Sequence, residues 1–296
     1  VILLMTRIEL SAQLSSVSSL HAAPNIIFIL ADDQSWNGTS VQMHPNIPGS
    51  KSDFYRTPNL EKLAAQGMRF SQAYSPGPMC SPTRASLQTG KSPAQLGMTN
   101  VSGGRQRRLS QSQKLILPQY SSTLPTKEVT IGEMLQRAGY ATAWFGKWHL
   151  GGDGPAAHGY DESDGPTGNA DGVTEDPLNP KDIFGITRRG IDFMERSIDV
   201  KRPFYLQLWH YAVHGPVQTQ PETAKAFQSR TAGQVHQAVP FAGMTENLDE
   251  GVGMIMKKIK ELGIADRTYL IYMSDHGAGR NLSSSAPLNQ GKGTLW

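Results

Sequence analysis

The sequence predicts an α/β fold in which a mostly parallel central sheet is sandwiched by helices. Two observations carry the prediction. Asn25 to Ala31 is a continuous apolar run, which marks a strand covered on both faces, and it is the first of four strand-like segments that alternate with helix signals. Each of the four also runs directly into Asp, Lys or His, and open parallel sheets bind ligands outside the carboxyl ends of their strands.

In chain order, the first strand is Asn25 to Ala31 and ends in Asp32-Asp33. Thr57-Pro58 starts a helix that Gly67 stops, with Leu60, Leu63 and Ala64 as its core stripe. A second helix begins around Ser81, read as its cap, with Pro82 in the first turn and Gly90 at the far end. Cys80 then sits just before a helix N-terminus. Thr130 and Glu133 form a capping box and Gly139 a stop, so a third helix precedes the strand Tyr140 to Phe145, which leads into Gly146-Lys147-Trp148-His149. Residues 151–182, rich in Gly, Asp, Pro and Asn and containing His158-Gly159-Tyr160-Asp161, read as a long loop beside that strand end, where loops shape specificity. Pro203 to Trp209 is the third strand, leading through His210 and Tyr211 to His214-Gly215-Pro216. Leu248, Val252, Ile255, Ile259 and Leu262 make one helical stripe that Gly263 stops. The fourth strand, Tyr269 to Met273, ends in Ser274-Asp275-His276-Gly277.

The 296 residues, 38% hydrophobic and 18% charged, suit one large α/β domain or two small ones. A net charge of +3 is too small and dispersed to point to nucleic acid, and the cluster Arg105, Arg107, Arg108 reads as a solvated loop. One cysteine excludes an intramolecular disulfide. Residues 1–23 read as a partial leader: they open on Val1-Ile2-Leu3-Leu4-Met5 and end in Leu20-His21-Ala22-Ala23, but Arg7, Glu9 and Gln13 interrupt the apolar run. No apolar run approaches the roughly 18 residues of a membrane span.

That single cysteine stands in Cys80-Ser81-Pro82-Thr83-Arg84. Free N–H groups and the dipole at a helix N-terminus favour an anion, and Arg84, about one turn in, adds a full positive charge. The pattern suits a nucleophile that attacks something negatively charged; a buried inert thiol is the plain alternative. A cysteine phosphatase would need a longer Cys-to-Arg spacing and more glycine. Asp32, Asp33 and Asp275 are a hard oxygen set of the kind that holds Ca²⁺ or Mg²⁺, whereas His276 beside them suits a transition metal better. Arg84, Lys147, His149, His214 and Lys292 form the positive set. His158, His210 and His236 read as structural or rim residues.

The pentapeptide, with its continuation Ala85-Ser86-Leu87-Gln88-Thr89-Gly90, resembles the maturation signature Cys-x-Pro-x-Arg of the type I, formylglycine-dependent sulfatases. The resemblance covers residues 24–296, in five motif blocks in the family's order. It implies an alkaline phosphatase-like fold and hydrolysis of sulfate esters, with a sulfated small molecule or glycan as substrate. It implies that a maturation enzyme oxidises Cys80 to formylglycine, whose hydrated aldehyde is the nucleophile. It further implies one Ca²⁺, or Mg²⁺ or another divalent metal, held by Asp32, Asp33, the formylglycine oxygen at Cys80, and Asp275-His276. By the same resemblance Lys147 and Lys292 would bind sulfate, Arg84 would orient the hydrate, His149 would assist one of its hydroxyls, and His214 would protonate the leaving alcohol. Members of the family are longer and carry a smaller C-terminal domain, so residues 24–296 read as an N-terminal catalytic domain with its C-terminal part missing. A periplasmic or secreted setting follows by analogy. The rivals are a phosphonate monoester or phosphodiester hydrolase of the same superfamily, and a non-catalytic binder of sulfated glycans in which Cys80 is never converted.

Overall fold

A computed structural model describes residues 23–103, 118–279 and 282–294. All of the leader segment but Ala23, and the cluster Arg105, Arg107 and Arg108, lie outside the described residues.

Five strands, β1 (Asn25–Ala31), β2 (Ala141–Gly146), β3 (Glu162–Ser163), β4 (Phe204–Trp209) and β5 (Thr268–Ser274), form one sheet in the order β3-β2-β4-β1-β5. Every pairing is parallel. The helices are α1 (Pro58–Gln66), α2 (Cys80–Thr89), α3 (Pro93–Leu96), α4 (Ile131–Arg137), α5 (Ile183–Asp199), α6 (Pro221–Gln228) and α7 (Val239–Glu261). β2 and β4 are buried at every residue, as their unbroken apolar sequences require.

Alternation along the strands divides the core in two. Ile27, Ile29, Ala143, Phe145, Leu206 and Leu208 pack with Ile186 and Phe193 of α5 and Val252, Ile255 and Ile259 of α7. Leu30, Trp144, Tyr205 and Trp209 face the other way, onto Ala85 of α2 and Tyr160. The predicted sandwich is therefore present. β5 lies at the edge and is half open, with Tyr269 and Ile271 exposed.

The expected helices α1, α4 and α7 form where their stripes and caps placed them. Thr130 and Glu133 close a reciprocal capping box, and Gly139 and Gly263 adopt positive φ. Leu60 is buried, with Leu63 and Ala64 packed at the core's border. Other features differ. Cys80 is the first residue of α2 rather than the one before it, the N-cap is Met79, and no side chain caps the helix. Ser81 is inside the first turn, so its hydroxyl instead donates to the His149 carbonyl at 2.7 Å. Residues 151–182 are not one open loop. Tyr160 is buried, and Glu162 and Ser163 pair with Ala143 and Trp144 to make β3, whose two residues carry no strand signal of their own. The 17-residue α5 and the shorter α3 and α6 were not anticipated.

Gly146 closes β2 at φ 103, where a Cβ would run into the Trp209 carbonyl. The same carbonyl accepts the Lys147 N–H at 2.7 Å, so this glycine lets β2 stay against β4 while turning Lys147 into the molecule. Gly146→Ala is expected to destabilise the protein by about 3 kcal/mol or more in equilibrium denaturation. A change within ~0.5 kcal/mol would mean that β2 moves freely away from β4.

Candidate active site

β2 and β4 end at one level, and β1 and β5 end one residue beyond it. Leu30 pairs with both Trp209 and Met273, and Gly146 pairs with Trp209. The next residues, Asp32, Lys147, His210 and Asp275, therefore leave the sheet side by side, and each still donates its backbone N–H to a neighbouring strand or its extension. α2 brings Cys80 to the same edge.

Cys80 is closed to water, with Sγ 3.5 Å from Asp32 Oδ1 and 3.2 Å from His276 Nε2. Burial and the neighbouring Asp32 push its thiol up to about 12. Arg84 lies one turn inside α2, fully buried. It donates to the Lys147 carbonyl at 2.6 Å, lies 3.4 Å from Asp32 Oδ2 and 3.7 Å from Asp275 Oδ2, and covers the Trp209 ring at 5.0 Å. Trp209 read only as a strand residue in the sequence, since nothing local to it announces an arginine partner.

The carboxylates are interleaved with cations. Lys147 is ion-paired to Asp32, and Lys292 donates to both oxygens of Asp33, at 2.7 and 2.9 Å. Asp275 Oδ1 accepts the Asp33 N–H at 3.1 Å, and Asp33 itself is left-handed at φ 63. Burial opposes ionisation of Asp32, but Lys147, Arg84, His214 and His276 outweigh it and hold that carboxyl well below the usual range. Asp33 and Asp275 go the other way. Burial and the Asp32 charge raise both, Asp275 to about 6.

His214 Nε2 stands 3.8 Å from Asp33 Oδ2, and its Nδ1 is 2.6 Å from the Gly215 carbonyl. Burial lowers its pKa. His149, at φ 54, has a buried Nδ1 with no hydrogen-bond partner among the described residues. Burial, Lys147 and Arg84 lower it to about 3, so it is neutral near pH 7. The structure thus gathers Asp32, Asp33, Cys80, Arg84, Lys147, His214, Asp275, His276 and Lys292 through direct contacts, with His149 held beside them by the Ser81 bond. Of the other histidines, His158 lies under Trp148, ring to ring at 5.3 Å, and His236 under Tyr55 at 4.5 Å. His210 is buried. A further lysine, Lys181, is buried near this cluster, and no motif in the sequence pointed to it.

The sequence profile of the family described as Sulfatase matches residues 24–296. The chain belongs to the sulfatase family. It is 28% identical to the N-acetylgalactosamine-6-sulfatase of Sus scrofa over 97% of its own length and 57% of the relative's. It is 29% identical to human arylsulfatase A over 92% and 56%. The solved structure of Ps i-CgsB in complex with k-i-k-neocarrahexaose superposes with TM-score 0.73 at 26% identity, covering 92% of this sulfatase chain and 63% of that one. The chain thus spans little more than half the length of the two curated relatives.

Membership of this family implies a divalent metal, and the residues fit one. Asp32, Asp33, Cys80 and His276 each offer a ligand atom, all within 4.8 Å of one another. Asp275 borders this set, and its Oδ2 is buried without a hydrogen-bond partner 3.3 Å from His276 Nε2. Neighbouring carboxylates whose protonation is favoured by mutual repulsion are relieved by a cation between them. Such a cation must displace the proton that Asp275, raised to about 6, retains, so its affinity should rise as pH increases through that value. Metal analysis after equilibrium dialysis at stepped pH checks this. Asp33→Asn and Asp275→Asn are each expected to weaken binding by about tenfold or more, and full occupancy in both variants rejects the assignment.

Proposed function

We propose that this sulfatase hydrolyses sulfate esters of a carbohydrate, with formylglycine made from Cys80 and one bound Ca²⁺. The observation that carries the reading is Cys80 at the first position of α2, in the complete Cys-x-Pro-x-Arg context, clustered with Asp32, Asp33 and His276. A carbohydrate substrate is supported by the names of the similar proteins, an N-acetylgalactosamine-6-sulfatase and a complex with a neocarrahexaose. The unmodified thiol is a poor nucleophile here. At about 12 it stays protonated near neutral pH, which disfavours a cysteine phosphatase mechanism, since that chemistry needs the thiolate.

The hydrated formylglycine supplies a hydroxyl nucleophile, and the divalent ion supplies positive charge against it. Asp32, Asp33, Asp275, His276 and the side-chain oxygen at position 80 would hold that ion; carboxylates outnumber the single imidazole, which favours Ca²⁺. Arg84 orients the hydrate. Lys147 and Lys292 bind the sulfate oxygens, where charge grows in the transition state and fixed cations contribute most. Neutral His149 accepts a hydrogen bond from a hydrate hydroxyl, and His214 gives a proton to the departing sugar oxygen. The reading requires a maturation enzyme as partner and suits a periplasmic or secreted setting. Among the described residues no helix is long and apolar enough to cross a membrane.

Conversion of Cys80 lowers the intact mass by about 18 Da when the whole protein is produced with a maturation enzyme. An active preparation whose Cys80 remains a full thiol would sink the formylglycine assignment, and an unconverted, inactive protein that still bound sulfated glycans would support the binder instead. His214→Ala is expected to cost about 10²- to 10⁴-fold in turnover of a sugar sulfate but far less with an acidic phenol as leaving group. Equal losses across the series would assign His214 to sulfate binding. Because burial lowers His214, its proton-bearing form is lost as pH rises from below the usual imidazole range, so kcat/KM for sugar esters should fall along that limb in the wild type.

A further inference from the structure

Lys181 combines three unfavourable features. Its side chain is fully buried, yet Nζ has no hydrogen-bond partner among the described residues. It has φ 53 and the following Asp182 also has φ 53, so two consecutive residues with side chains occupy the left-handed region. It also directly precedes the 17-residue α5, where a helix dipole disfavours a cation. Burying a charge without a partner is costly, and strained, unanswered groups that persist in a fold cluster at functional sites.

Its surroundings show which site it serves. The Lys181 N–H donates to Gln218 Oε1 at 3.0 Å; the same oxygen accepts the Thr174 N–H at 3.2 Å, and Gln218 Nε2 donates back to the Thr174 carbonyl at 2.7 Å. Gln218 lies four residues beyond His214. The turn that carries Lys181 is thereby tied to the segment that carries His214. The ammonium charge is felt by Lys147, which opposes it, and by Asp32 and Asp33, while burial lowers its pKa to about 8. Neither aspartate is left to answer it: Asp32 is taken by Lys147 and Arg84, and Asp33 by Lys292. Asp275 has Arg84 and His276 within 4.0 Å. Lys181 is a cation added to a cluster whose own carboxylates are already paired, and a divalent ion among those carboxylates leaves it still more in excess.

We propose that Lys181 is a further anion-binding residue of this site, whose ammonium answers the negative charge of the ester's sulfate group. The inference rests on the sulfatase reading and adds to it a third lysine, supplied by the turn before α5 rather than by a strand end. Lys181 is as closed to water as Arg84 and Lys147, so it belongs with those buried cations rather than with the outer surface.

The test uses the whole, converted, metal-loaded protein, with inorganic sulfate as the probe. Calorimetric titration should show that Lys181→Met and Lys181→Gln each weaken sulfate binding by about 10- to 100-fold and raise KM for a sulfate ester more than they lower kcat. Without sulfate, the thermal midpoint of Lys181→Met should equal or exceed that of the wild type, because an unanswered buried charge has been removed; added sulfate should raise the midpoint of the wild type more than that of the variant. Wild-type sulfate affinity in both variants overturns the proposal. So does failure of both to fold, which would make Lys181 a structural residue. If the wild type itself binds no sulfate, the sulfatase reading fails first and this inference falls with it.

Discussion

Leu30 is flanked at equal height by Trp209 and Met273, and Trp209 by Gly146 on its other side. This register is the constraint on which the rest of the molecule depends. Parallel pairing fixes the strand directions, burial on both faces fixes which side chains point to which layer, and a slip of one residue would invert every face. With that register in place, charged residues that are far apart in sequence emerge together at a single edge. Asp32 and Asp275 are separated by more than two hundred residues, yet their carboxylates share one guanidinium.

The electrostatics follow from this crowding. Desolvation alone would protonate every carboxylate at the edge. Asp32 escapes because Lys147 and Arg84 both reach it, whereas Asp33 and Asp275 feel the charge on Asp32 in addition to their own burial. Adjacent carboxyls of the same chemistry thus have opposite tendencies, set by which cation each one meets. That asymmetry sets carboxyls that favour a proton beside fixed cations within one group of side chains.

Much of this was legible in the sequence, for identifiable reasons. Largely apolar runs found β1, β2, β4 and β5; two-sided burial accounts for β2 and β4, whereas β5 keeps its apolar residues at a half-open edge. Polar residues just past those runs found the site, and the lone cysteine in its Pro-and-Arg context found the family. What escaped notice depends on tertiary pairing. Glu162 and Ser163 become a strand only because β2 offers them an edge, and Ser81 gives up the capping role for which it is suited because the His149 carbonyl lies within reach. α5 carries the helical spacing of Ile183, Ile186, Phe193 and Met194, but a glycine- and proline-rich stretch directly before it masks its start. Lys181 gave no sign, because a single lysine among Asn, Pro and Asp looks like solvent-facing loop until its burial is known.

The depth of Cys80 bears on the order of events in biosynthesis. Its side chain is 1% exposed, beneath the packed first turn of α2 and against Asp32 and His276. A second protein cannot grasp a sulfur that has no surface, and exposing it would mean lifting α2 off the sheet along with Arg84, whose guanidinium is bonded to the Lys147 carbonyl and stacked on Trp209. Any chemistry that another protein carried out on this sulfur would therefore have to come before α2 packs against the sheet, and closure of the helix would seal the product.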